Sequence, residues 1–534
     1  MNLRRAYNAV PLVRLCVVFS FVAATVAENV LISCTVGEGS HYFVGKTIGH
    51  YLVKRGHNVT MLLSNAYAHR AENPDDKDLN FVIFNHSVPV EEVLERHGAF
   101  SKMALEPFDF RFVYKVITSQ TQGNVNDCED LLVRNPDVMR RLEHGNFSVV
   151  IFDHIWPCSL FLAMTLKTQA VMSSPMAVVT ALSTAIGNPV NLAISPELLT
   201  GLNPPMTFFE RVTNVLTNRA FLMLTYVINS PFNELRHRLD IRPDIPGTIN
   251  HLVASYPSLY LTNIDFSMEI PTAFFPNVIT IGGITARPAA ALPQELEDFM
   301  ESSGDDGVIL FTLGTYFHQV RPDWLAPFAE VFGKLKQKVL WQMKSTPPFK
   351  LPSNVKTLPW LPQNDILGHP KTRLFVFHGG NNGFYEAQYH AVPVVAIPLS
   401  GDGTDMAARA ALRQLAVVID KTMVTADRLY AAIKTVLNND SYARIAQRQS
   451  GILRSRPMHP GDRAAFWVSH VMEHGGDHMR NPSLELNFIQ RNLLDVIAIL
   501  LVVVVLLVIV LLACCRCVFR FCNRVCRGDK EKRD

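Results

Sequence analysis

From Val496 to Cys515 the chain runs for twenty residues without a charge. That matches the ~20 residues a helix needs to cross hydrocarbon, and it divides the chain into a long body and a short tail. The tail carries Arg516, Arg520, Arg524, Arg527, Lys530, Lys532 and Arg533, which places it on the cytosolic side by the positive-inside bias. At the other end, Arg4, Arg5 and Arg14 accompany a short apolar core from Leu15 to Ala24, and small residues lead to Ala27 and Glu28. This pattern reads as a cleaved signal peptide and not a second span. The body is then lumenal. It is mildly acidic once both basic ends are set aside, so no face for nucleic acid is implied.

Only Cys34, Cys128 and Cys158 of the nine cysteines fall in the body, too few to build the fold from disulfides. With 534 residues at 48% hydrophobic content, the body is held by ordinary cores, enough for two. The tail cysteines Cys514, Cys515, Cys517, Cys522 and Cys526 fit either acylation or chance enrichment near a membrane. Sequons at Asn58, Asn85, Asn146 and Asn439 fit lumenal exposure, Asn58 least because it falls in a strand.

The body alternates strands and helices. Asn29–Val36, a helical pattern through Leu52, a stop at Gly56 and Asn58–Leu63 make a βαβ unit. Phe147–His154, a helix over Pro157–Leu166 and Ala170–Ser173 repeat the pattern. A second set runs through Gly307–Gly314, Lys338–Met343, Leu374–Phe377, Val392–Leu399 and Ala416–Asp420. Such alternation implies two α/β domains with parallel sheets, joined near a Pro- and Ala-rich stretch at 286–292. Ligands of such sheets bind beyond the carboxyl ends of strands. The segment Phe208–Val227 reads as a core-packing helix, with a helix resting on a membrane surface as the alternative.

Several chemistries drop out. The first βα turn offers Gly37 and Gly39 but Tyr42 at the third glycine position of G-x-G-x-x-G, which argues against a nicotinamide site. No G-x-S-x-G elbow supports a hydrolase, and no H-E-x-x-H or paired C-x-x-C in the body supports a metal. What stands at the strand ends is His41, opening the first helix, and Asp153, closing the Phe147 strand. His41 reads as a helix cap or as a base whose imidazole Asp153 orients. In the second domain, His378-Gly379-Gly380-Asn381-Asn382 breaks a buried strand, and a glycine-led helix N-terminus is a ready anion site. Trp360 and Gln363 lie in a Pro-bounded loop, either as anchor and cap or as stacking and hydrogen-bonding partners of a base and ribose.

Taken together, the stretch from Trp360 to Arg409 resembles the donor-binding signature of the UDP-glycosyltransferases. "GSH" at Gly39–His41, "RGHNVT" at Arg55–Thr60, Phe152–Cys158, "VILFTLGT" at Val308–Thr315, "DRAAFW" at Asp462–Trp467 and the opening of the apolar run extend the likeness over nearly the whole chain. It is most similar to the membrane-bound animal UDP-glucuronosyltransferases. The resemblance implies two facing Rossmann-like domains of GT-B type plus one C-terminal transmembrane helix. It assigns 1–27 to the signal, 28–285 to an acceptor-binding domain and 286–292 to a linker. A UDP-sugar-binding domain with a closing helix takes 293–492, the span 493–515 and the basic tail 516–534. It makes His41 the base and Asp153 its partner. Trp360 matches a uracil-stacking residue, Gln363 and Glu386 ribose contacts, and Thr315, His378, Gly380 and Asn382 a diphosphate cradle. Asp402 matches the first of two sugar-binding residues. The second, usually glutamine, is here Gly403.

The expected reaction is metal-independent, inverting transfer of a glucuronosyl or glucosyl group from a UDP-sugar to a small lipophilic acceptor. No cofactor is expected, the UDP-sugar being a co-substrate. Implied partners are UDP-glucuronate or UDP-glucose, the acceptor, the membrane, and other copies or relatives in a homo- or hetero-oligomer. Lys530 and Lys532 stand fifth and third from the end, the spacing of a retrieval signal to the endoplasmic reticulum, or a plain solvated charge run. The rival reading is a catalytically impaired relative acting as a lumenal binding or regulatory protein.

Overall fold

The computed structural model describes residues 27–528 apart from 35–36, 106–109, 178–179, 316, 318–319, 345–346 and 400. The signal segment through residue 26 and the Lys530/Lys532 ending lie outside the described residues.

Thirteen strands form two sheets among the described residues. The first contains β1 (Asn29–Ser33), β2 (Asn58–Ser64), β3 (Asn80–Phe84), β4 (Phe147–Asp153), β5 (Gln169–Ser174), β6 (Leu259–Thr262) and β7 (Val278–Thr280). Their spatial order is β3-β2-β1-β4-β5-β6-β7 and every pair is parallel. The second contains β8 (Val308–Thr312), β9 (Lys338–Gln342), β10 (Val355–Leu358), β11 (Thr372–Phe377), β12 (Val394–Ala396) and β13 (Ala416–Val418). Its order is β10-β9-β8-β11-β12-β13, again all parallel. Each order reverses direction once, between β1 and β4 and between β8 and β11. Those are the switch points at which such sheets bind ligands.

The strands are apolar on both faces because helices cover both. Leu31, Leu62, Val150 and Phe152 enter one layer of the first sheet, while Val30, Ile32, Val59, Met61, Val149 and Ile151 enter the other. The second sheet alternates the same way, with Val308, Leu310, Phe375 and Phe377 against Ile309, Phe311, Trp341 and Val376. The helix Pro460–His474 comes from the second half of the chain but completes the first sheet's covering. Its Ala464, Ala465, Val468 and Val471 join the Val30–Ile32 layer, and Ser469 Oγ lies 2.8 Å from His57 Nε2.

Cys128 and Cys158 form a disulfide, while Cys34 is buried and free. The long helix Leu494–Gly528 is exposed throughout its described side chains and uncharged from Val496 through Cys515. It continues past that point, carrying Arg516 and Arg520 on extra turns.

The structure corrects the core reading of Phe208–Val227. The helix Phe208–Arg238 buries Asn214, Asn218 and Asn229 and exposes Phe208, Phe209, Leu216, Met223, Tyr226 and Val227. The sequence hides this because apolar periodicity shows that a stripe exists, not what covers it.

Candidate active site

β1 and β4 are neighbours, with Ser33 opposite Phe152, so the residues that follow them meet. His41 stands in the first turn of the helix Gly39–Lys54, and its Nδ1 is hydrogen-bonded to Asp153 Oδ2. The other Asp153 oxygen accepts the Ile155 amide at 3.1 Å and lies 3.3 Å from His154 Nδ1. Burial pulls the His41 pKa down, but the Asp153 charge and hydrogen bond, with Asp402 behind them, raise it above its ordinary value. Burial pushes Asp153 up. The charges and hydrogen bonds of His41 and His154 reverse that and hold it well below the usual carboxylate range. Asp153 is therefore an anion, His41 keeps a proton on Nδ1, and Nε2 is left as the basic atom.

The second sheet repeats this construction. Thr312 of β8 is opposite Phe377 of β11, which brings Gly314-Thr315 beside His378-Gly379-Gly380. His378 is half-buried, and desolvation lowers its pKa to about 4, so it is neutral. Its imidazole fills the space that side chains at both glycines need. A Cβ at Gly314 lies 2.5 Å from His378 Cε1, and one at Gly380 lies 2.7 Å from His378 Nε2. Gly379 adopts φ +89°, a left-handed conformation that favours glycine. Gly380 then caps the helix Asn381–Tyr389 with no side chain, leaving the first-turn amides unclaimed by a cap. Those amides and the helix dipole favour an anion there.

Gln363 starts the helix Gln363–Leu367 and donates Nε2 to Glu386 at 2.6 Å, so these two residues are brought together. Burial raises Glu386 to about 7 despite that hydrogen bond. Trp360, after β10, is 52% exposed, and its ring centroid is 6.1 Å from that of Phe43 on the His41 helix. It thus meets the opposite wall of the cleft. Thr315 is half-buried, three residues beyond β8, without a described hydrogen bond to the others. Asn382 Oδ1 accepts from Asn263 Nδ2 at 2.8 Å, a contact between the halves.

Asp402 precedes the helix Gly403–Leu412 and is close enough to His41 that each shifts the other. Burial first, then the Asp405 charge, raise Asp402 to about 7. Sequence reasoning missed three residues here. Asp405 accepts the Leu199 and Gly201 amides at 2.7 and 2.8 Å. Arg409, one turn further, donates to Glu269 at 2.8 Å, and its field also lowers Asp402. The i, i+4 spacing of Asp405 and Arg409 was visible in the sequence. Glu269 and the 199–201 loop lie far away along the chain and left no signal.

A cavity of about 220 Å³ opens beyond β8 and β9, lined by Gly314, Phe317, Trp341, Met343 and Lys344. A second, between Ala177, Thr180, Pro196, Leu198, Asp402 and Arg409, holds only about 30 Å³. That suits a water and not a sugar ring.

Residues 29–528 match the model of the family described as UDP-glucoronosyl and UDP-glucosyl transferase. The chain belongs to this family. This UDP-glycosyltransferase is 32% identical over 516 residues to human (Homo sapiens) UDP-glucuronosyltransferase 2A2, covering 95% of this chain and 94% of that one. It is 34% identical over 521 residues to Oryctolagus cuniculus UDP-glucuronosyltransferase 2B13, covering 93% and 94%. Its fold is similar to the solved glycotransferase of kitacinnamycin, with TM-score 0.58, 19% identity and coverage of 84% of this chain and 99% of that one. It is likewise similar to the calicheamicin glycosyltransferase CalG4, with TM-score 0.57, 16% identity and the same coverage. The GT-B architecture and transfer of a sugar from a UDP-sugar follow from family and fold.

Proposed function

We propose that this enzyme transfers a hexosyl group, with inversion, to a hydroxyl or similar nucleophile of a small lipophilic acceptor. His41 Nε2 takes the acceptor proton while Asp153 stabilises the imidazolium, and the nucleophile attacks the anomeric carbon from the side opposite UDP. Trp360 stacks on the uracil, and Gln363 and Glu386 hold the ribose. Thr315, His378, Gly380 and Asn382 surround the diphosphate, whose leaving charge the Asn381 helix N-terminus stabilises. Asp402 holds a sugar hydroxyl. The observation that carries this reading is the His41–Asp153 pair set across from Asp402, each half supplied by a different sheet. It also favours an active enzyme over a binding-only relative.

The donor is UDP-glucuronate or UDP-glucose. Gly403 removes an amide at the sugar, and a carboxylate at Asp402 disfavours glucuronate. Arg409 supplies a compensating cation from the same helix. Mass spectrometry of products after both donors are offered with phenolic acceptors separates the two. We infer that the body lies in the lumen of the endoplasmic reticulum, anchored by Leu494–Gly528 with the tail in the cytosol. The Cys128–Cys158 disulfide supports an oxidising compartment, and glycans that stay immature in cells are the check on the address.

The deciding experiment is His41→Ala. Turnover with a neutral phenol should vanish while UDP binding survives, because base and nucleotide contacts stand on different sheets. Near-normal turnover by the variant sinks the mechanism.

A further inference from the structure

The helix Phe208–Arg238 is built inside out over its first two thirds. Its inward face is polar. Asn218 Nδ2 donates to Glu197 at 2.9 Å, Asn214 Oδ1 accepts the Glu197 amide at 2.6 Å, and Asn214 Nδ2 bonds the Leu192 and Ser195 carbonyls. Its outward face is apolar, with Phe208, Phe209, Leu216, Met223, Tyr226 and Val227 each at least 62% exposed. At 100° per residue these six fall within one stripe, opposite the asparagines. A contiguous apolar stripe of this size on an otherwise well-packed body marks a surface that something covers.

Two observations identify the cover. The first is position. Asn229 Nδ2 donates to Asn250 at 2.6 Å, and Asn233 accepts the Ile249 amide at 2.7 Å, so the helix packs on Ile249–Ser255. His251 of that neighbour feels the charges of Arg480 and Arg491. Those arginines belong to the segment that leads into the Leu494–Gly528 helix. Asn481 of the same segment donates to the Ile186 carbonyl, just beyond the helix Thr180–Ala185 that also packs on the long helix. The stripe therefore belongs to the end of the body from which the span departs. The second is charge. From Arg211 to Asn233 there is no acidic residue, while Arg211 and Arg219 are exposed. On the same wheel Arg219 falls inside the stripe, and an acid-free apolar stripe carrying one arginine fits an interface of acyl chains and phosphate headgroups, its long side chain reaching the phosphates.

We propose that the Phe208–Arg238 helix lies along the lumenal membrane surface as a second contact beside the span, its apolar stripe in the headgroup–acyl boundary. Glu197 ties this helix to the cleft. It accepts from Thr180 and from the Asn218 amide, and the loop it begins reaches Asp405 through Leu199 and Gly201. Lipophilic acceptors partitioned in the bilayer then lie next to the wall that borders Asp402.

The test uses the wild-type full chain in phospholipid vesicles, labelled by a photoactivated diazirine reagent confined to the bilayer. This inference rests on the proposed span, so the span peptide serves as internal control. The tryptic peptide Ala220–Arg236 should take up label within a few-fold of the span peptide and at least about tenfold above the body helix Ala426–Leu437. Replacing Met223, Tyr226 and Val227 together by glutamate should return that label to the body level while turnover of a water-soluble phenol persists. A labelled span with an unlabelled Ala220–Arg236 peptide overturns the proposal. So does a chemical crosslink joining this peptide to a second copy in its place. An unlabelled span overturns the anchoring reading itself.

Discussion

At the residue scale, two shifted groups face each other across the cleft, and each has a distinct cause. His41 is raised because the anionic Asp153 outweighs burial; Asp402 is raised because burial and Asp405 outweigh the cations. In the proposed mechanism catalysis needs neutral His41, so kcat/KM should rise with pH through its raised pKa. Removing the carboxylate in Asp153→Asn leaves burial in command and lets that pKa fall. The acid limb should therefore move to lower pH while the plateau drops roughly 10²–10⁴-fold, measured as pH–rate profiles of both proteins. An unmoved limb would mean that another group titrates. Gly403 makes a second case. Its Cβ would lie 3.1 Å from the His378 carbonyl oxygen, so any side chain there crowds the glycine loop. Gly403→Ala reads that crowding alone, and Gly403→Gln adds the amide. The donor KM should be several-fold lower for glutamine than for alanine, the worth of one hydrogen bond at ~1 kcal/mol. Equal values in donor saturation curves would show that position 403 does not touch the sugar.

At the element scale, the first half depends on insertions between its strands. The last turn of the helix Phe110–Glu129 carries Cys128, which is bonded to Cys158 at the start of the helix after β4. Both cysteines are fully buried in the Leu31–Phe152 layer. The bridge closes a 30-residue separation, worth about 3–4 kcal/mol in the chain-entropy view. Replacing both cysteines by alanine should lower stability by that order in denaturant titration of the full chain in detergent, with KM for donor little changed. A loss below about 1 kcal/mol would mean that packing alone orders this region. The strands that anchor the site were legible because each is a short apolar run ended by Gly, Pro or Asp. β3, β6 and β7 escaped notice, and β10 has no bounds in the sequence reading. β6 and β7 are only four and three residues long, and β3 is a short apolar run set between irregular segments.

At the scale of the whole molecule, polar contacts hold the halves together. Asp405 grips the 199–201 loop, Arg409 pairs with Glu269, and Asn381 Nδ2 donates to the Pro175 and Asn263 carbonyls at 2.9 Å. With only about 30 Å³ between Asp402 and the first half, a sugar held at Asp402 as proposed needs these latches to part. Asp405→Ala removes two hydrogen bonds, at ~1 kcal/mol each roughly 2 kcal/mol of closure. The variant should bind UDP normally but turn over about thirty-fold more slowly, with a larger radius of gyration in detergent-corrected small-angle scattering. Unchanged turnover and radius would show that the latch is idle.

The sequence by itself determined the two α/β units, the long apolar C-terminal helix and the placement of His41, Asp153, Trp360, His378 and Asp402 at strand ends. Each of these rests on local periodicity or on a short motif, and both survive in a linear chain. Tertiary structure alone decided that Gly314 and Gly380 make room for His378. It also decided that Arg409 balances Asp402 and that Phe208–Arg238 turns its asparagines inward. Those outcomes depend on which surfaces meet across tens to hundreds of residues. A hydrophobic period reports that a face must be covered, and only the packed chain shows whether its own residues cover it.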